Sequence, residues 1–114
     1  MKKNIETGFV PPISVSKEAE EGLRLRRVFG RGGTMVGVAR ARDLKNRRRL
    51  STKTITRMYS YFSRHNVDKQ GKDFYNEIKP SNGKIAWLLW GGDSGAKWCY
   101  GIYKKIKQDK KNES

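Results

Sequence analysis

Leu50-Ser51-Thr52-Lys53-Thr54-Ile55-Thr56-Arg57-Met58-Tyr59-Ser60-Tyr61-Phe62-Ser63-Arg64-His65 carries both start signals of a helix and one clear face. Ser51 is a cap residue. Leu50 before it and Ile55 four positions after it form the hydrophobic-staple pattern. Ile55, Met58, Tyr59 and Phe62 then recur at helical spacing, which predicts an amphipathic helix. Lys53, Arg57, Tyr61 and Arg64 lie mostly off the apolar face.

The flanking segments follow the same logic. Thr34 is the expected cap of a helix reaching about Lys45, in which Gly37 and Ala41 share a face and let another helix approach closely; glycine inside a helix otherwise costs stability. Before it, Gly30-Arg31-Gly32-Gly33 breaks the chain. A further helix is expected from about Val15 to Phe29, capped by Ser14 or Ser16, with Glu18, Glu20 and Glu21 towards its positive end and Arg24, Arg26 and Arg27 towards its negative end. Beyond the opening stretch, residues 66–76 are polar and turn-rich. Pro80-Ser81-Asn82 opens the run Ile85-Ala86-Trp87-Leu88-Leu89-Trp90. Six apolar residues in a row fit a buried strand as well, but the Pro-Ser start and the Gly91-Gly92 stop favour a short buried helix. Asp93 or Ser94 then caps a last helix in which Trp98, Ile102 and Ile106 repeat every four residues. With no alternating strand pattern, the fold class is all-α: a compact bundle of four to five short helices. It is flanked by a loose arm at 1–13 and a charged tail at 107–114, with a single domain over 14–106. The spacing of the Arg40–Arg49 region from the helix after Ser51 fits a helix-turn-helix-like pair.

The charge is concentrated rather than spread. The chain has 114 residues, with 26 Lys+Arg against 11 Asp+Glu and a net charge of +15. Ten of the cations fall between Arg24 and Arg49, where Asp43 is the one acid. A fold that presents so much like charge repels itself, and a polyanion relieves that repulsion. Several other classes are disfavoured. The single cysteine, Cys99, leaves no intramolecular disulfide and no cysteine-based zinc site. No apolar run reaches membrane-span length, and the first residues lack the apolar core of a signal peptide. Arg31-Gly32-Gly33-Thr34 opens a helix and suits a DNA phosphate, but it lacks the Gly-Lys-Ser/Thr ending of a P-loop. The one histidine, His65, with Asp68 or Asp93, is the sole basis for a metal-dependent nuclease. The acids are otherwise scattered, and no nucleophile–base pair can be nominated. An Arg64–Asp68 or Arg64–Asp93 pair is expected as a structural tie. Trp87, Trp90 and Trp98 are expected in the core. Tyr59, Tyr61, Tyr100 and Tyr103 are the better candidates for exposed rings.

Three ordered stretches carry a resemblance: residues 32–44, GGTMVGVARARDL; Leu50-Ser51 with Arg57-Met58 and residues 61–69, YFSRHNVDK; and residues 80–95, PSNGKIAWLLWGGDSG. Together they resemble a small module encoded by tailed bacteriophages and prophages, notably marine phages. The module occurs alone, and similar stretches are appended to head-morphogenesis polypeptides. The resemblance covers roughly Val15 to Trp98; the segment between Lys69 and Pro80 departs from relatives richer in glycine and acid. It implies phage origin and a bacterial cytoplasm, followed by packaging in a virion in some cases, and it carries over no catalytic residue.

The resulting expectation is a non-enzymatic basic protein that binds nucleic acid, DNA first, mainly through phosphate. Its contacts would come from Arg31, Arg40, Arg42, Arg47, Arg48, Arg49, Lys53, Arg57, Tyr61 and Arg64, with no cofactor and no metal. The alternative from another class is an assembly module whose basic surface meets an acidic phage or host protein.

Overall fold

The computed structural model describes the backbone of residues 8–113 and the side chains of residues 8–110; residues 1–7 of the expected arm, Ser114, and the last side chains of the expected tail lie outside the described residues. Within them the chain is all-α, as the periodicities require. It consists of α1 (Ile13–Phe29), α2 (Met35–Lys45), α3 (Thr52–His65), α4 (Asn82–Leu89) and α5 (Gly92–Glu113), with a 3-10 turn at Asn66–Gln70.

Three of the expected caps form. The Thr34 side chain accepts from the Gly37 N–H, Ser51 from the Thr54 N–H and Ser81 from the Lys84 N–H. Each satisfies one of the donors that a helix start leaves over. Leu50 and Ile55 are both buried, as a staple requires. Two other caps differ. Helix α1 begins at Ile13 behind Pro12, without a side-chain cap. The Ser16 hydroxyl instead donates to the Lys45 carbonyl at 2.8 Å, fastening the start of α1 to the end of α2. At α5 it is Glu18 of α1 that accepts from the Ser94 N–H at 3.1 Å. A carboxylate at a helix N-terminus satisfies both a donor and the dipole, and no local pattern discloses that it comes from another helix.

The arm is docked earlier than expected. Phe9 and Leu50 exchange two backbone hydrogen bonds, each 2.8 Å, in an isolated antiparallel bridge. Pro11 is fully buried, and its carbonyl accepts from Arg47 Nε at 2.8 Å. The expected tail falls on the last turns of α5, whose side chains at 107–110 are exposed.

Helix α4 is the centre of the bundle. Ile85, Trp87, Leu88 and Leu89 are buried against α1, α2 and α5. Gly22 lets α4 approach: a Cβ there would meet the Leu89 backbone N at 2.7 Å and the Leu88 carbonyl carbon at 2.9 Å. Ile85 and Leu89 also occupy the space that side chains at Gly32 and Gly33 would fill. Gly37 and Ala41 are buried on the inner face of α2, Gly37 next to the Trp90 indole, so the small-residue face does serve close packing. The segment after the 3-10 turn, read as polar, contributes Phe74 to the core.

The helix-turn-helix-like pairing of α2 with α3 does not form, since no Cα of one comes within 8 Å of a Cα of the other. The tight turn Gly30–Thr34 instead joins α1 to α2, which pack side by side, while α3 packs on α5. The apolar face of α2, with Val38, Ala41 and Leu44, is taken up by α1 and α4 before α3 begins.

Gly22→Ala should destabilise the fold by about 1–3 kcal/mol through overpacking. Urea unfolding checks this; an unchanged midpoint would show that the α1–α4 approach is not tight.

Candidate nucleic-acid interface

The cations fall into two groups, those spent on the fold and those left facing water. Arg31 belongs to the first. Its guanidinium donates to Asn82 Oδ1 at 2.6 Å and to the Pro80 carbonyl at 2.8 Å, and lies 5.3 Å from the Phe29 ring centroid. It ties the α1–α2 turn to the start of α4. Arg40 is 14 % exposed at its side chain, pairs with Asp43 at 3.1 Å and lies over the Trp90 ring. Its Nε is buried with no hydrogen-bond partner among the described residues. Arg47 holds Pro11. Tyr61, expected off the apolar face, is a core residue at 6 % exposure, stacked between Trp90 at 4.6 Å and His65 at 4.5 Å. Burial, with the Asp68 charge, pushes its phenol well above the usual value. The face of α3 turned inward is therefore wider than four apolar residues suggest, and the Tyr61 ring faces the core rather than water.

Arg42, Arg48, Arg49, Lys53, Arg57 and Arg64 remain exposed. Arg48 is 69 % exposed and reaches Asp43 only at 3.8 Å. Lys53, Arg57 and Arg64 sit at i, i+4 and i+11, within about 40° of one another at 3.6 residues per turn, and form one outward stripe on α3. Neither expected Arg64 pair exists. His65 Nδ1 lies 3.3 Å from Asp68, and Lys69 Nζ lies 2.8 Å from Asp93. Asp93 also accepts from the Trp87 indole at 2.9 Å.

A groove of about 750 Å³ between α1 and α2 gathers cations that are scattered along the sequence. Lys17, Arg24, Arg26 and Arg27 line it from α1, and Arg42 and Lys45 from α2. Its acids are Glu20 and Glu21. Glu21 is engaged by Arg24 through two hydrogen bonds of 2.9 and 2.7 Å, which hold its carboxyl below the usual range despite partial burial. Arg26 donates to the Gly32 carbonyl. Among the described residues, Lys17, Arg27, Arg42 and Lys45 make no ion pair, so the groove keeps a surplus of positive charge. The exposed connector Arg47–Arg49 continues directly from the end of α2 beside it. Lys17, Arg27 and Lys45 are groove residues outside the set expected from sequence. The signal available was the i, i+3, i+7, i+10 series Lys17, Glu20, Arg24, Arg27 on one face of α1; which helix that face meets is a tertiary matter.

No group of three or more histidine, cysteine or acidic side chains positioned for a metal occurs among the described residues, and no described helix is long and apolar enough to cross a membrane. Cys99 is buried, and burial pushes its thiol up to about 12. No protein-family model matches this chain, and neither a curated protein nor a solved structure matches it.

Burial pushes the Asp93 carboxyl up, but the hydrogen bonds from Lys69 and Trp87 and the charges of Lys69 and Lys84 outweigh it, leaving its pKa below the ordinary 3.8. A depressed folded-state pKa gives stability that is present above the ordinary value and lost as the pH falls through the folded value. Asp93→Asn should therefore lower the melting temperature at neutral pH and converge with the wild type in acid. A melting-temperature difference that stays constant at all pH values would contradict the assignment.

Proposed function

We propose that this is a non-enzymatic basic protein that binds nucleic acid, DNA in the first instance, mainly through phosphate. The observation that carries it is the α1–α2 groove, where Lys17, Arg27, Arg42 and Lys45 have no acidic partner among the described residues. Arg48, Arg49 and the Lys53–Arg57–Arg64 stripe extend the positive surface beyond it. Unpaired cations along a groove suit a polyanion whose charges repeat at short intervals, because each phosphate neutralised releases condensed counterions. Arg31, Arg40 and Tyr61 are not part of this surface. The resemblance to the phage module adds the proposal that the protein acts in an infected bacterial cytoplasm or is carried in a virion.

A second reading, an assembly module that meets an acidic phage or host protein, is favoured by a separate feature. Val28, Met35 and Val36 are each about 60–70 % exposed around the α1–α2 turn, and Tyr75 and Ile78 on the segment before α4 are 70 % and 83 % exposed. Exposed large apolar side chains beside one turn suit contact with another protein. A pull-down from lysate with and without nuclease separates the two: partners that vanish with nuclease support the nucleic-acid reading, and partners that survive support assembly.

Replacing Arg42, Lys45 and Arg48 together by Gln should weaken binding to all DNA sequences alike. It should also reduce the slope of log K against log salt by about 0.9 for each phosphate that the variant no longer neutralises. Titration of a random-sequence duplex across a salt series measures both, and an unchanged slope rules these residues out.

A further inference from the structure

A second groove, of about 570 Å³, lies between α3 and α5, away from the α1–α2 cations. Its walls are aromatic and its polar groups are of three kinds. Tyr59 and Tyr100 supply rings, with Trp87 as a buried floor. Tyr59 is itself held rigid by face-to-face stacking on Tyr103, with centroids 4.0 Å apart and planes 8° apart, while Tyr100 stands 6.0 Å from it, nearly parallel and 51 % exposed. Ser63 and Asn66 present a hydroxyl and an amide along one side. Lys97 lines the groove together with Lys69, whose charge is taken by Asp93, and Lys104 lies over the Tyr100 ring, 5.7 Å from its centroid, so that Lys97 and Lys104 are the lysines left for a phosphate. No carboxylate lines it among the described residues, and the nearby Asp93 is already neutralised by Lys69 at 2.8 Å.

Aromatic faces, neutral hydrogen-bonding edges and surrounding lysines correspond in turn to the three parts of one ligand class: a flat heterocycle, its polar edge and its phosphate. We infer that this groove takes an unpaired nucleobase with its phosphate, stacked on Tyr100. A duplex cannot offer that face without unstacking, whereas stacking on aromatic platforms is how single strands are held without sequence preference. Resting on the phosphate-binding function proposed above, this assigns the protein a single-strand preference and places its base contact between α3 and α5, at a groove that shares no lining residue with the α1–α2 groove.

Fluorescence anisotropy with labelled oligothymidylate, and with a random-sequence duplex carrying the same number of phosphates, tests the inference at constant salt. Tyr100→Ala should lose roughly 5- to 150-fold on the single strand, the range that stacking of one base supplies, and nothing on the duplex. Tyr100→Phe should keep the wild-type affinity, since it retains the ring. Undiminished single-strand binding by Tyr100→Ala, or an equal loss on both nucleic acids, overturns the proposal. If the wild type binds neither oligonucleotide, the phosphate reading fails by itself, and thymidine monophosphate decides the groove: saturable NMR shifts of the Tyr59 and Tyr100 ring protons keep a nucleotide site, and their absence removes it.

Discussion

The backbone of α4 lies so close to α1 that one side-chain carbon at Gly22 would meet the Leu89 nitrogen at 2.7 Å. The other contacts of the bundle are arranged around that approach. It lets Leu88 and Leu89 reach a core shared by α1, α2 and α5, and it brings Ile85 and Leu89 down onto Gly32 and Gly33. The turn between α1 and α2 is thereby packed on α4, and Arg31 fastens it to the start of the same helix through Pro80 and Asn82. With α1 so placed, Glu18 caps α5 and Ser16 holds the last turn of α2. A small domain with few apolar residues gains by this economy, since close-packed backbone contacts bury area that short side chains cannot.

The same geometry sorts the charge. Cations near the centre of the bundle are consumed: Arg26 and Arg31 on carbonyls, Arg40 on Asp43 and Trp90, and Lys69 on Asp93. Lys17, Arg27, Arg42 and Lys45 on the flank of α1 and α2, and the outer stripe of α3, meet no acid among the described residues. The self-repulsion of the molecule is thus concentrated where a ligand can reach it.

Aromatic side chains divide in a similar way. Arg40, Trp90, Tyr61 and His65 form a continuous stack across the core, with Asp43 beside one end and Asp68 beside the other. Tyr59, Tyr100 and Tyr103 form a separate stack at the surface between α3 and α5. The first locks α2, α3 and the end of α4 together. The second leaves a ring in solvent.

Local chemistry in the sequence determined the five helices, the caps at Thr34, Ser51 and Ser81, the Leu50–Ile55 staple, the burial of the Ile85–Leu89 run and the overall positive charge, because each depends on residues a few positions apart. The same chemistry puts Arg42, Arg48, Arg49, Lys53, Arg57 and Arg64 on the outside, where they lie. It does not disclose what holds Arg31, Arg40 and Tyr61, since their partners Pro80, Asn82 and Trp90 come from distant parts of the chain and no local periodicity encodes such a meeting. For the same reason the α1–α2 groove, the cap supplied by Glu18 and the absence of an α2–α3 pairing were decided by the tertiary structure alone: helix periodicity says which face is apolar, and only packing says which helix that face will meet.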